Sequence, residues 1–596
     1  MFKKQFIFIF YIFLFYDATF TTAQVYNDYY GLGHDAVIKS FSSGEENITP
    51  AISTLTGTGY FPDLAGSARF LSQATLGYNW EEINYVSNTG IKNWIEEQFE
   101  IAPVSYYAKY DSIYKYASNL LNNIGEQPEY IGFTFYESVL KQQDQLRQKV
   151  AFALSQILVL SLSNRGYAST SYYDALYLNA FGNYRDILQQ VTHHPAMGIY
   201  LNTFKNRKAD FALNTYPDEN YARELMQLFS IGLWQLNIDG SQKLDNNGQP
   251  IRTYNIADIE QLAKVFTGLG VGGSTNNQPA SFLVPRLYMD VKIPMAVYDA
   301  YHDKSTKQLI DGTILPYNQL GADDINTTLD VLFNHPNVGP FISIRLIQHL
   351  VKSNPSSQYI KRVASKFNNN GNGVRGDLKT VIRAIFLDPE ARECNYIDYS
   401  TSGKLIQPLE RMLNLYKAFN ISTPSNKFYL NDGVEFKDAI EQAFMRAPTV
   451  FNFFTPFFGE SDFVEQANLV SPEFEILNTY TTIAYINLLE NALKEKPFAN
   501  YTTANSTGYL LAENTNDVPT LNFAEELNLI SNDGISALLE RLDVLLCRGQ
   551  LTFDNKIIIE NTINQNFANV ATYTNEDAIK DAIYYIMLSP NYTILK

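Results

Sequence analysis

The densest run of reactive side chains is residues 216–232, YPDENYARELMQLFSIG. Pro217 suits the first position of a helix and Gly232 suits its stop. On such a helix Glu219 and Arg223 stand four apart and share a face, whereas Glu224 lies about 140° round from Glu219 at about 100° per residue. Two carboxylates in unlike surroundings are what hydrolytic acid/base catalysis uses, and they also serve as oxygen ligands for a metal. The competing use is structural: Asp218 and Glu219 complement the positive helix N-terminus, Arg223 bridges neighbouring helices, and Glu224 is a paired buried or a solvated acid.

A second cluster is Tyr301-His302-Asp303-Lys304-Ser305-Thr306-Lys307. His302 could bind a metal or move protons with Asp303 or another acid orienting its ring, and Asp303 and Lys307 are candidate binding residues beside it. The structural alternative is a surface-loop histidine with no task. The remaining histidines, His34, His193, His194, His335 and His349, have no zincin spacing. His194 and His335 each precede a proline and read as helix-flanking residues. Nucleophile-elbow, phosphate-loop, dinucleotide and haem-attachment motifs are missing from the sequence. The glycines at 268, 270, 272 and 273 follow a helical pattern rather than a strand, which argues against a nucleotide loop.

The elements that must position these groups are mostly helical. Residues 90–99 place Ile91, Trp94, Ile95 and Phe99 at the helical period. Residues 146–160 are apolar on nearly every face except at Arg147, Gln148, Lys149, Ser155 and Gln156, which predicts a helix at the centre of a bundle. Asp239-Gly240, Asn247-Gly248 and Asp311-Gly312 carry the signature of tight hairpins, so small β-ribbons are expected on the helical body between about residues 235 and 320. Residues 346–393 and 545–593 repeat one order, two helices and a third closing on Leu-Asp-Pro or Leu-Ser-Pro, which suggests a duplicated three-helix unit in the C-terminal half. The expected fold is therefore mainly α: a large multi-helix bundle with β-hairpin inserts. Its expected divisions are a signal peptide at 1–23, a poorly structured arm at 24–60, a helical core at 61–460 and a C-terminal helical segment at 461–596.

The aromatic run 447–457, APTVFNFFTPF, has prolines near both ends and cannot be one regular helix. It reads as a plug for the core rather than a sugar-stacking platform, because large aromatics contribute most by burial.

Residues 1–23 combine Lys3 and Lys4, an apolar run and a small-residue cleavage site, which predicts export to the periplasm or beyond. The run is too short to span a bilayer, and no later stretch is long and charge-free enough. The 596-residue chain carries a net charge of −17, and losing Lys3, Lys4 and Asp17, a net +1, makes it −18. That balance argues against nucleic acid as a partner. Two cysteines, Cys394 and Cys547, rule out a disulfide scaffold and leave open whether they pair.

Six segments in order resemble the bacterial family catalogued as domain of unknown function 1800: residues 68–77, 146–155 with Arg147 as a candidate binding residue, 218–232, 266–268, His302-Asp303 with Lys307, and 450–456. The resemblance spans about residues 60–595. It implies an exported, mainly helical module without an established activity, often encoded beside a phosphatase- or sulfatase-like protein. Many members carry a Trp-His-Asn-His-Phe-like run where this chain has residues 152–158, and a histidine where it has Phe229. A divalent metal is therefore not favoured, and the cofactor stays unassigned. Two readings follow. One is a binding or scaffold protein in envelope or extracellular polymer processing, partnered by the phosphatase-like neighbour or a polysaccharide. The other is a hydrolase using Glu219 and Glu224 with Arg223 and His302.

Overall fold

A computed structural model describes residues 62–120, 125–127, 129–162, 165–273, 279–283, 290–393, 401–430, 436–459, 464, 467, 469–495 and 518–596. All of them fall within the unit Lys39–Lys596. The expected signal peptide, the expected arm and Cys394 lie outside these residues. Cys547 is a buried free thiol whose pKa burial pushes up to about 12.

The helix Gln145–Ile157 holds the central place its composition predicts, with every residue buried except the half-exposed Ser155. It packs against Leu64–Ala74, Ile91–Glu100, Gly166–Tyr177 and Val338–Leu350. Burying Leu146, Val150, Phe152 and Leu154 together stabilises the bundle by roughly 1.5–3 kcal/mol per side chain. The same placement forces Gln148, Lys149 and Gln156 to find partners inside the protein.

The β inserts are as small as their turn signals suggest. Gly240 and Gly248 take the left-handed backbone that tight turns need, and the segments around them form single bridges at Trp234 with Arg252, Leu236 with Gln242, and Leu244 with Pro250. Lys307–Gln308 pairs antiparallel with Ile314–Leu315. Two further ribbons lack a turn signature because their strands are distant in sequence: Leu269–Gly270 with Ala296–Val297, and Lys404–Leu405 with Ile594–Leu595.

The repeated helix order is present in part: inside 545–593 only the last two long helices and the closing turn recur, and the helix before them, Ala524–Leu542, lies ahead of that span and is kinked at Gly534. Val338–Leu350, Ser357–Asn368 and Leu378–Phe386 are followed by the one-turn helix Pro389–Arg392, and Ala524–Leu542, Phe553–Asn569 and Asn575–Leu588 by the one-turn helix Pro590–Thr593. Ser356 and Thr552 cap the middle helix of each set. The packing differs: the first set stacks in chain order, whereas in the second Ala524–Leu542 packs on Asn575–Leu588.

The aromatic run does pack inward. Ala447, Phe453 and Phe454 form a buried cluster with Val159 and Ile476, while Phe451 and Phe457 are half-buried.

Candidate functional site

The acid–arginine helix begins later than the sequence suggests, spanning Asn220–Gln227 with Glu219 at its N-cap. Pro217 is not its first residue, because Asn206 exchanges hydrogen bonds with the Asp218 backbone at 2.8 and 3.1 Å and holds it out of the helix. Arg223 Nη2 donates to Glu219 Oε2 at 3.1 Å on a partly exposed face. Glu224 turns to the other side and is buried. Burial, with the Glu224 carboxylate beside it, pushes the Tyr200 hydroxyl up to about 12 and raises Tyr254 as well. The two acids thus occupy unlike environments on opposite sides of one helix.

Just before this helix, Asp210 and Thr215 exchange backbone hydrogen bonds at 3.0 Å and close a tight loop. Asp210 Oδ1 also accepts from the Ala212 and Leu213 amides. The loop presents Phe211, Leu213 and Tyr216 at 80, 72 and 64% exposure. Its two rings meet at 74° with centroids 6.1 Å apart.

His302 is not a surface-loop residue but fully enclosed. Its Nδ1 lies 3.0 Å from the Thr267 carbonyl, and its Nε2 lies 3.1 Å from Asp324 Oδ2. The Lys307 ammonium, also buried, donates to the same Asp324 oxygen at 2.7 Å and to the carbonyls of Asp303 and Ser305. The acid that orients His302 is therefore Asp324, not Asp303. The Asp303 amide donates to Thr267 Oγ1 at 2.8 Å and its carboxylate accepts from the Ser305 amide and hydroxyl; burial pushes the carboxyl up, but these bonds with Ser305 and the nearby Lys307 outweigh it and hold the carboxyl below the usual range. Gly268 makes this closeness feasible: its φ is +85°, and a Cβ there would meet the Tyr298 carbonyl at 2.9 Å. With both ring nitrogens on internal oxygens, His302 serves as a cross-link between the helix Gly321–Asn334 and the 266–268 turn.

Arg147 is likewise turned inward. Its guanidinium stacks 4.4 Å from the Phe181 ring, and it reaches the Ile101 carbonyl at 3.4 Å and Asp144 at 3.9 Å. Among the described residues, no group of three His, Cys, Asp or Glu side chains is placed to hold a metal ion.

The sequence reading missed a third cluster, around the helix Val338–Leu350. Lys149 pairs with Glu410 at 2.8 Å and Lys404 with Glu473 at 2.9 Å, all four buried. Lys404 also donates to the Gln348 and His349 carbonyls at 3.1 and 2.7 Å, where a cation suits the helix C-terminus. Arg345, 5% exposed, donates to Gln348 Oε1 at 2.7 Å and lies between the rings of Phe341 at 5.2 Å and Phe457 at 4.4 Å. Burial pushes its pKa down to about 9, and among the described residues no carboxylate pairs with it, so it stays charged at neutral pH. Burial and the charges of Lys404, Arg345 and Lys149 hold His349 well below the usual histidine range. Its Nδ1 is buried and makes no hydrogen bond among the described residues. The signal was available: Arg345 and His349 stand four apart in an otherwise apolar helix, and Lys149 interrupts another.

No curated protein and no solved structure matches this chain. Among the described residues no helix is long and apolar enough to cross a membrane. A family model described as "Protein of unknown function (DUF1800)" matches residues 69–594, a span that takes in the acid–arginine helix, the His302 cross-link and the interior cationic cluster alike, and the chain belongs to that family.

Proposed function

We propose that this protein is an exported binding scaffold rather than a catalyst, and that it docks a partner through the loop at residues 210–216 and the adjoining Glu219–Arg223 pair. The observation that carries this reading is the loop itself. Three large apolar side chains stand out to solvent on a backbone fixed by the Asp210–Thr215 bonds, so little ordering entropy is lost on contact. Apolar anchors rimmed by charge are the usual anatomy of a protein contact. Asp210, Asp218, Glu219 and Arg223 supply such a rim.

The partner we favour is a protein surface rather than a polysaccharide. Rings meeting at 74° cannot both lie flat on one sugar chain, and Leu213 offers no stacking face. An exported phosphatase- or sulfatase-like protein is the class the family resemblance suggests. The test compares the native chain with Phe211→Ser/Leu213→Ser/Tyr216→Ser, each tagged, expressed in the native host and isolated under native conditions. A stoichiometric protein companion on the native chain that is lost from the triple variant is expected. Equal recovery from both, recovery from neither, or a glycan in its place would overturn the reading. The substituted side chains are exposed, so the variant should keep the native melting temperature.

A further inference from the structure

The interior cluster is asymmetric in charge. Lys149, Lys404 and Arg345 are cations, Glu410 and Glu473 are the carboxylates paired with the two lysines, and Arg345 has a neutral amide and two rings for company. Among the described residues, Gln348 is the one hydrogen-bond partner of this five-donor guanidinium. One turn along the same helix, His349 Nδ1 is buried without a hydrogen bond among the described residues, and Glu473 Oε2 is in the same position. Burial first, and then the charges of Lys404, Arg345 and Lys149, hold the His349 ring neutral, and an added negative charge would oppose the part due to the cations.

We propose that the Arg345–His349 end of the helix Val338–Leu350 binds a tetrahedral oxyanion, a phosphate or sulfate group, beneath the aromatic segment that carries Phe454 and Phe457. The guanidinium fork supplies paired donors suited to such a group, and Lys149 and Lys404 add charge without losing their carboxylates. Phe457 lies on the guanidinium face and Phe454 lies 6.2 Å from the His349 ring, so the two rings cover the charged groups from the 450–457 side. Low local polarity under such a cover strengthens each charge-assisted bond. This site is separate from the exposed loop at 210–216 and does not depend on the role given to that loop.

The experiment is a thermal-shift series on the full chain. Inorganic phosphate, inorganic sulfate and phenyl phosphate are each titrated at constant ionic strength, with chloride and acetate as controls. A saturable rise in melting temperature with at least one tetrahedral anion is expected; a response to inorganic ions marks a free anion, and a response to phenyl phosphate alone marks an ester. Arg345→Met should abolish the rise, and Arg345→Lys should weaken the affinity by roughly tenfold or more, since a point charge replaces the fork. No rise with any oxyanion, the same rise with acetate, or an undiminished rise in Arg345→Met would overturn the site. If Arg345→Met fails to fold, Arg345→Lys decides together with the histidine ring signals of the native protein, assigned with His349→Gln. Bound anion should move the His349 titration to higher pH, and an unmoved titration counts against the site.

Discussion

Two buried charge clusters in this protein are built on opposite plans. Around Asp324, one carboxylate oxygen receives both the Lys307 ammonium and the His302 ring, and the remaining donors of those groups meet backbone carbonyls. Around Arg345, three cations face two carboxylates, and a histidine nitrogen is left without a hydrogen bond among the described residues. The first cluster is a tie: its charges are answered by parts of the chain that are distant in sequence, and removing one member strands the others. The second leaves positive charge over. Each cluster keeps a buried atom without a hydrogen bond among the described residues, Asp324 Oδ1 in the first and His349 Nδ1 in the second, so burial and a missing bond do not by themselves mark a functional group; what distinguishes the Arg345 cluster is its excess of buried cations.

Mutation should separate the two plans most strongly at Asp324. Asp324→Ala leaves Lys307 buried without its carboxylate and His302 without its orienting acid, and is expected to lower stability by about 3–5 kcal/mol. Chemical denaturation of the native and variant chains reads this directly. A loss below about 1 kcal/mol would mean that Asp324 is not the tie described.

The next effect is in the acid limb of stability. The folded-state pKa of His349 lies well below the unfolded value of about 6.5. Its contribution is therefore fully present above about pH 6.5 and falls as the unfolded chain takes up a proton that the folded chain refuses. The loss has a limiting slope of about 1.4 kcal/mol per pH unit until the folded pKa is reached. His194, pushed down to about 4 by burial, contributes a slope of the same sign between about pH 6.5 and 4. Stability measured from pH 7 to 5 in His349→Gln should lose one such increment while the His194 share persists. An unchanged slope would place His349 in water.

Arg345→Met is expected to change stability by no more than about 1 kcal/mol in either direction. The variant loses a hydrogen bond to Gln348 and two ring contacts, but it also relieves a buried cation that has no carboxylate of its own among the described residues. A loss as large as that at Asp324 would erase the distinction between the two clusters.

What the sequence revealed follows the range of the forces involved. Local chemistry was readable: the all-round apolar pattern placed Gln145–Ile157 at the centre, and Asp-Gly and Asn-Gly marked the small turns. His302 and Lys307 were visible as reactive types, yet their partner Asp324 sits on the next helix, and no spacing rule links 302 to 324. The Arg345 cluster was hidden for the same reason, since Lys149, Arg345, Lys404, Glu410 and Glu473 come from five separate elements. The ribbon of Lys404–Leu405 with Ile594–Leu595 joins residues nearly two hundred positions apart and could be found only by folding the chain. Pro217 shows the remaining kind of miss: its helix-starting chemistry was overridden by the Asn206 side chain binding the Asp218 backbone.

The smallest expected effect lies at the residue pair that the sequence makes most conspicuous. Glu219 and Arg223 are four apart on a helix, and their side chains retain 39 and 24% exposure. At that exposure water and salt screen both charges, and holding two long side chains in register opposes the Coulombic gain. Glu219→Gln should therefore cost no more than about 0.5 kcal/mol, and the cost should shrink as sodium chloride is raised. If Glu219 is part of the docking rim, the same substitution weakens partner capture more than it weakens the fold. A double-mutant cycle with Arg223→Gln, read once by denaturation and once by recovery of the bound companion, separates the two. Equal coupling in both measurements would assign the pair to the fold alone, whereas coupling confined to companion recovery would place it in the interface.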